Sequence, residues 1–210
     1  MKFEKGSIKR DLSRYTIYFV LLGLVILMSA LSRNFFTYTN ITNIFVLESA
    51  RAIMTIGMGL VMITKGIDLS VASVAALASV ISGSLVQEMA YSGRLFPGLG
   101  YVPAWAALLA GLAVGLLIGI LNGWLVAYIK LPPFIATLGT TTIAVGVAYS
   151  YTNSFPVPNL RGDFKIIAQA SIGNVPVIII YVAVLAVIAW IILNKTRLGK
   201  RIYAIGGSES

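Results

Sequence analysis

Few residues in this chain could carry out covalent chemistry. It has no histidine and no cysteine, which removes the usual general base, thiolate nucleophiles, disulfides and the common zinc, haem and iron–sulfur ligands. The seven carboxylates lie in separate neighbourhoods, and no two of them read as a catalytic dyad. No GxxxxGK[ST] phosphate loop occurs, so ATP-driven work would need another subunit. The sequence predicts no catalytic residue, no metal site and no bound cofactor.

Polar groups set among apolar ones remain. Glu48 and Arg51 stand three residues apart, neighbours on one helical face. A lone charge at mid-membrane costs about 2.5–3.5 kcal/mol on an insertion scale, so an intramembrane ion pair is the first reading and a ligand contact the second. In Thr64-Lys65-Gly66-Ile67-Asp68-Leu69-Ser70, Gly66 can interrupt a helix and Asp68 or Ser70 can cap the next one. That segment is either a tight turn between helices or a broken-helix element beside a translocation path. Gly111, Gly115, Gly119 and Gly123 recur every four residues, which stacks them on one face for close helix packing. Asn122 lies beside that face, suited to an interhelical hydrogen bond or to a solute. Thr137, Thr140, Thr141 and Thr142 can bond back to helix carbonyls or line a polar path. Asp68, Ser70, Asn122, Thr137 and Thr140 are thus the candidate translocation-path or gating residues.

The elements that must position these groups follow from composition. Of 210 residues, 58% are hydrophobic and only 11% charged, against about 25% charged in soluble domains. Six apolar stretches approach the ~20 residues needed to span a bilayer: approximately 15–31, 44–63, 69–86, 104–128, 134–151 and 176–193. The loop 152–175 reads as ordered and external, with a short helix near 164–171. The net charge of +9 does not point to nucleic acid, because its placement flanks the apolar runs. Lys2, Lys5, Lys9, Arg10 and Arg14 precede the first run; Lys195, Arg197, Lys200 and Arg201 follow the last. With the N-terminus inside, eleven Lys or Arg fall on inner segments and four on outer ones, which predicts both termini in the cytoplasm. The expected fold is an all-α polytopic membrane protein of about six transmembrane helices.

The stretches "KGIDLSVASVAAL", "GLLIGILNGWLVAYIKLPPFIATLGTTTI" and "NKTRLGKRIYAIGGSES" together resemble the permease subunits of bacterial monosaccharide ABC importers, of the ribose, galactose, xylose and arabinose type. They occur in the family's order, and the likeness extends over nearly all of the chain. "FFTYTNITNIF", "VQEMAYSGRLFPG" and "FPVPNLRGDFKIIAQASIGNVP" are most similar to its galactose and methyl-galactoside branch. Ser70-Val71-Ala72-Ser73 looks more like the ribose type. The resemblance implies a multi-pass subunit of the bacterial inner membrane that carries a sugar without covalent chemistry. A second permease copy, a cytoplasmic ATPase and a periplasmic sugar-binding protein would be its partners. Family permeases continue past "YAIGGSES", so residues 1–210 correspond to the N-terminal part of one transmembrane permease domain. Two rival readings are a secondary transporter of a small polar solute and a membrane fragment that transports nothing.

Overall fold

A computed structural model describes residues 5–207. Lys2 and the Ser208-Glu209-Ser210 end lie outside the described residues. So do the side chains of residues 5–14, which include Lys5, Lys9, Arg10 and Arg14 of the charge count. The chain divides into two compact units, Met1–Leu47 and Glu48–Ser210, with the division falling inside one helix.

The first unit holds helix α1 (Lys5–Leu31) and the start of α2 (Tyr38–Ile63). Between them, Thr37 accepts from the Asn40 N–H at 3.3 Å and donates to the Asn34 carbonyl, while the Asn40 amide donates to the Phe35 carbonyl at 2.8 Å. Thr37 thereby supplies the start of α2 with an acceptor that an aliphatic residue would lack.

The second unit contains the remainder of α2, then α3 (Val71–Leu85), α4 (Ala104–Ala127), α5 (Pro133–Thr152), α6 (Gly162–Gln169), α7 (Val177–Lys195) and α8 (Arg197–Gly207). A two-residue-per-strand hairpin, β1 (Ser171–Ile172) and β2 (Val175–Pro176), precedes α7. It turns at Gly173, whose φ is +61°. The sequence does not announce this hairpin, because strands of two residues carry no periodicity.

Among the described residues, α2, α4, α5 and α7 are long and apolar enough to cross a membrane. Tyr15–Leu31 and α3 are shorter apolar helices. Burial is inverted relative to a soluble protein. Large apolar side chains such as Leu116, Leu117, Ile120 and Trp190 are exposed, whereas the buried set is dominated by Ser, Thr, Ala and Gly. That is the pattern of helices packed by small residues with a lipid-facing exterior. The fold is an all-helical membrane protein apart from the hairpin.

Helix ends are set by specific residues. α2 closes with Gly66 N–H donating to the Val61 carbonyl and Lys65 N–H to Met62, the paired bonds of a Schellman stop. The left-handed position is Lys65, φ +60°, not the glycine. Gly66 is instead needed for space: a Cβ there would lie 2.9 Å from a Val61 methyl. α5 opens on Pro133 at its first turn, where the missing N–H costs nothing. α7 and α8 are separate helices, because Thr196 is extended (ψ 160°) and its hydroxyl accepts from Gly199 N–H at 3.2 Å, capping α8. Gly199 tucks under the Ile192 and Leu193 carbonyls, and Gly206 packs on the Ile63 carbonyl. α8 therefore bridges the ends of α7 and α2.

α3 is the centre of the second unit, packed between α4 and α5. Its start meets the end of α4 and the start of α5 (Ser70–Asn122, Leu69–Thr137). Its end meets Gly111 of α4 and Tyr151 of α5, the latter through Ser84 at 2.7 Å. α3 thus runs antiparallel to α4 and parallel to α5.

Candidate functional site

Residues 66–70 lie between the end of α2 and the start of α3 and belong to no helix. Backbone that leaves a helix needs partners for the polar groups it frees. α5 supplies several of those partners. The Thr137 hydroxyl accepts from Leu69 N–H at 3.2 Å and has the Pro133 and Ile67 carbonyls within reach of its own proton, at 2.8 and 3.2 Å. Thr141 lies 3.0 Å from the Leu69 carbonyl and 2.8 Å from that of Thr137. Back-bonding to the helix and service to a neighbouring segment, two roles open for these threonines in the sequence, are combined here.

Asp68 and Ser70 do not cap α3 by reaching into its first turn. One Asp68 carboxylate oxygen accepts from both Ser70 N–H (2.7 Å) and Ser70 Oγ–H (2.6 Å). Ser70 makes no side-chain cap bond, while its carbonyl accepts from Ser73 Oγ at 2.7 Å. Ser70 Oγ in turn accepts from Asn122 Nδ2 at 3.0 Å. Asn122 is buried, and its Oδ1 has no partner among the described residues.

This knot opens onto a groove of about 720 Å³ between α3 and α4. It runs from Asp68, Ser70 and Asn122 at one end to Leu160 and Phe164 at the other. Gly111, Gly115 and Gly119 form part of its wall. Their packing loosens along the row. A Cβ on Gly111 would press on Ser82 and lie 3.1 Å from the Ala78 carbonyl, one on Gly115 would just touch Val74 at 4.0 Å, and Gly119 and Gly123 face open space. The structure therefore brings Asp68, Ser70, Asn122 and Thr137 together. Thr140 stands apart: it is buried, donates to the Thr137 carbonyl at 3.0 Å, and lines a separate apolar cavity of about 300 Å³. Glu48 and Arg51 pair at 2.5 Å on α2 with both side chains largely exposed, and neither lines the groove.

At the opposite end, residues that the sequence did not single out tie the long loops together. Gln87 is buried, donates to the Pro158 carbonyl at 3.1 Å and accepts from Leu95 N–H at 2.8 Å. The loop strands join through Glu88 N–H to the Asn159 carbonyl and Arg161 N–H to the Val86 carbonyl. Arg161 grips Asp163 through Nε (3.1 Å) and Nη2 (2.9 Å), donates to the Val102 carbonyl at 2.6 Å, and lies 4.2 Å from the centre of the Tyr101 ring. The hydrogen bond from Arg161 is the main force holding the Asp163 carboxyl below its ordinary range, and the same bond raises Arg161. The only sequence signal for this clamp is the Arg161-Gly162-Asp163 spacing, which by itself specifies nothing.

Among the described residues no group of acidic side chains could hold a metal ion. The arrangement offers hydrogen bonds and space, not bond making.

Comparison with known proteins identifies the family. The family model for the branched-chain amino acid transport system / permease component matches residues 40–210. The galactose/methyl galactoside import permease protein MglC of Haemophilus influenzae is 38% identical, with 98% of this chain and 63% of the relative aligned. The ribose import permease protein RbsC of Escherichia coli is 39% identical, covering 90% of this chain and 57% of the relative. The D-allose transport system permease protein AlsC of Escherichia coli is 33% identical over 94% and 57%. The chain thus spans about three fifths of the length of these relatives. No solved structure matches it. With the family model covering most of its length, the chain belongs to the branched-chain amino acid transport system / permease component family.

Proposed function

We propose that this chain is the N-terminal part of the transmembrane permease domain of an ABC importer in the bacterial inner membrane. It passes a monosaccharide, galactose or methyl-galactoside or a related sugar such as ribose, along the α3–α4 groove. The observation that carries this reading is the non-helical segment 66–70, held by α5 hydroxyls beside a groove with polar groups at one end. Non-helical backbone at helix ends lines solute sites in many transporters, and a groove of ~300–1,000 Å³ suits a small ligand. The three named relatives are sugar permeases by their own descriptions, which favours a sugar over an amino acid. Asp68, Ser70, Asn122 and Thr137 line or brace the path, with Thr140 behind them. Gly111 sets the approach of α4 to α3, and the Glu48–Arg51 pair lets α2 carry two charges.

In this reading the chain makes six passes with both termini cytoplasmic, which the charge count supports. It is a transport subunit and not an enzyme. Its partners are a cytoplasmic ABC ATPase, a periplasmic sugar-binding protein and a second permease copy. The test is reconstitution of the full permease with ATPase and binding protein in proteoliposomes, followed by radiolabelled galactose and ribose. Sugar uptake that requires ATP is the expected result. Uptake driven by a proton or sodium gradient without ATP would replace this reading with a secondary transporter.

A further inference from the structure

The hydrogen bonds that link Asp68, Ser70 and Asn122 can each be given a direction, and that assignment fixes what the groove asks of its solute. Ser70 N–H is a donor, so the Asp68 oxygen it meets is an acceptor. The Ser70 hydroxyl lies 2.6 Å from that same oxygen and gives it its only proton. Ser70 Oγ therefore has lone pairs alone to offer Asn122, whose Nδ2 must be the group facing it at 3.0 Å. Oxygen and nitrogen of an amide are otherwise hard to tell apart; here Asp68 decides between them. What remains is Asn122 Oδ1, an acceptor without a partner on a residue more than nine-tenths buried, in the wall of the 720 Å³ groove.

We propose that Asn122 Oδ1 accepts a hydrogen bond from a solute hydroxyl, and that Asp68 acts through Ser70 to keep this acceptor, rather than the Nδ2 donor, turned to the solute. Asn122 is then a specificity-determining residue, and Asp68 and Ser70 are positioning residues. The proposal rests on the transport reading above and refines it: the site selects a donor at one position of a polyhydroxylated molecule. Oδ1 is sealed from water in the conformation described, so the solute reaches it as the α3–α4 wall moves. A buried acceptor left alone is costly, so the incoming hydroxyl satisfies a group that no other described residue serves.

Replacing a hydroxyl by fluorine keeps an acceptor and removes the donor, which makes deoxyfluoro sugars the direct probe. The full permease, with ATPase and binding protein, is assayed in proteoliposomes for uptake of D-galactose, D-ribose and their deoxyfluoro analogues. Because the other subunits are unchanged, their own preferences cancel when each variant's hydroxyl-to-fluoro ratio is divided by that of the wild type. At one ring position the wild type is expected to favour hydroxyl over fluorine by about tenfold or more, the penalty for facing two acceptors. Asn122→Leu removes that preference. Ser70→Ala removes the oxygen that holds Nδ2 in place, so the Asn122 amide is free to turn and the preference shrinks. A bracing role alone would lower all rates without moving the ratio. If Asn122→Leu does not fold, Ser70→Ala decides the matter. A wild type indifferent to fluorine at every position, or an unchanged ratio in the variants, overturns the proposal alone. Absence of ATP-dependent uptake of either sugar by the wild type overturns the transport reading and this proposal with it.

Discussion

The two ends of the α3–α5 core solve the same problem in different ways. Each must hold irregular backbone against helices, and each does so with side chains. At the loop end, Gln87 and Arg161 direct their hydrogen bonds to backbone carbonyls, a backbone N–H and Asp163, and the clamp is complete. At the other end, Thr137, Thr141, Asp68, Ser70 and Asn122 satisfy the 66–70 segment but leave Asn122 Oδ1 alone. The first is a fastening. The second is an unfinished network beside a cavity, the arrangement expected where a ligand completes the set.

Packing sharpens the contrast most strongly along α4. Gly111→Val should lose about 3 kcal/mol or more, because the new side chain meets the Ala78 carbonyl and Ser82 of a helix that cannot yield cheaply. Gly119→Ala, with nothing within 4 Å, should stay within about 0.5 kcal/mol. Thermal unfolding of detergent-purified protein compares them, and equal losses would mean that α3 and α4 are uniformly close.

At the knot, Thr137→Val keeps the shape and removes the partner of Leu69 N–H. It should cost about 1–3 kcal/mol. Thr142→Val loses only a back-bond to the Leu138 carbonyl and should fall within about 0.5 kcal/mol. If the two prove alike, α5 is not what holds the segment.

A smaller effect is expected at the clamp. Gln87→Leu orphans the Pro158 carbonyl and Leu95 N–H, groups that can partly turn to water, so about 1 kcal/mol is expected. Amide exchange in residues 86–102 should rise while the α3 core stays protected. Protection lost throughout would show that the fastening carries the whole core.

The smallest effect concerns pH. Because Asp163 is held below its ordinary range, its contribution is present above the unfolded carboxyl pKa of about 3.9 and is lost as pH falls through the lower folded value. Protease resistance of the loop end should be flat from neutrality down to mild acid and drop only below the ordinary carboxylate range. A drop near neutrality would mean that Asp163 is not the group involved.

What the sequence reveals of all this follows physical lines. Apolar stretches of membrane length are visible because their partner is lipid, which asks only for composition. Asp68, Ser70, Asn122 and Thr137 are visible because a polar group in such a stretch needs a reason. Their connectivity is not, since Ser70 and Asn122 meet across 52 positions. Gln87 gives no warning at all: its partners are a distant carbonyl and a loop N–H, groups that nearly every residue offers. Lys65 hides its left-handed backbone behind the adjacent glycine, the residue type that usually marks such a turn. The break before α8 is likewise silent, because Thr196 looks like one more polar residue in a basic stretch.

The seat of Gly206 on the Ile63 carbonyl has a kinetic consequence. These two residues are separated by most of the chain, whereas α3, α4 and α5 meet over much shorter intervals. Contacts between distant positions wait for the intervening chain to be ordered, since loop closure must be met before they are rewarded. The α8 clasp therefore belongs to the last events of folding. Amide protection at residues 204–206 should follow that of α3 to α5 and mark the moment when α8 has closed on the end of α2.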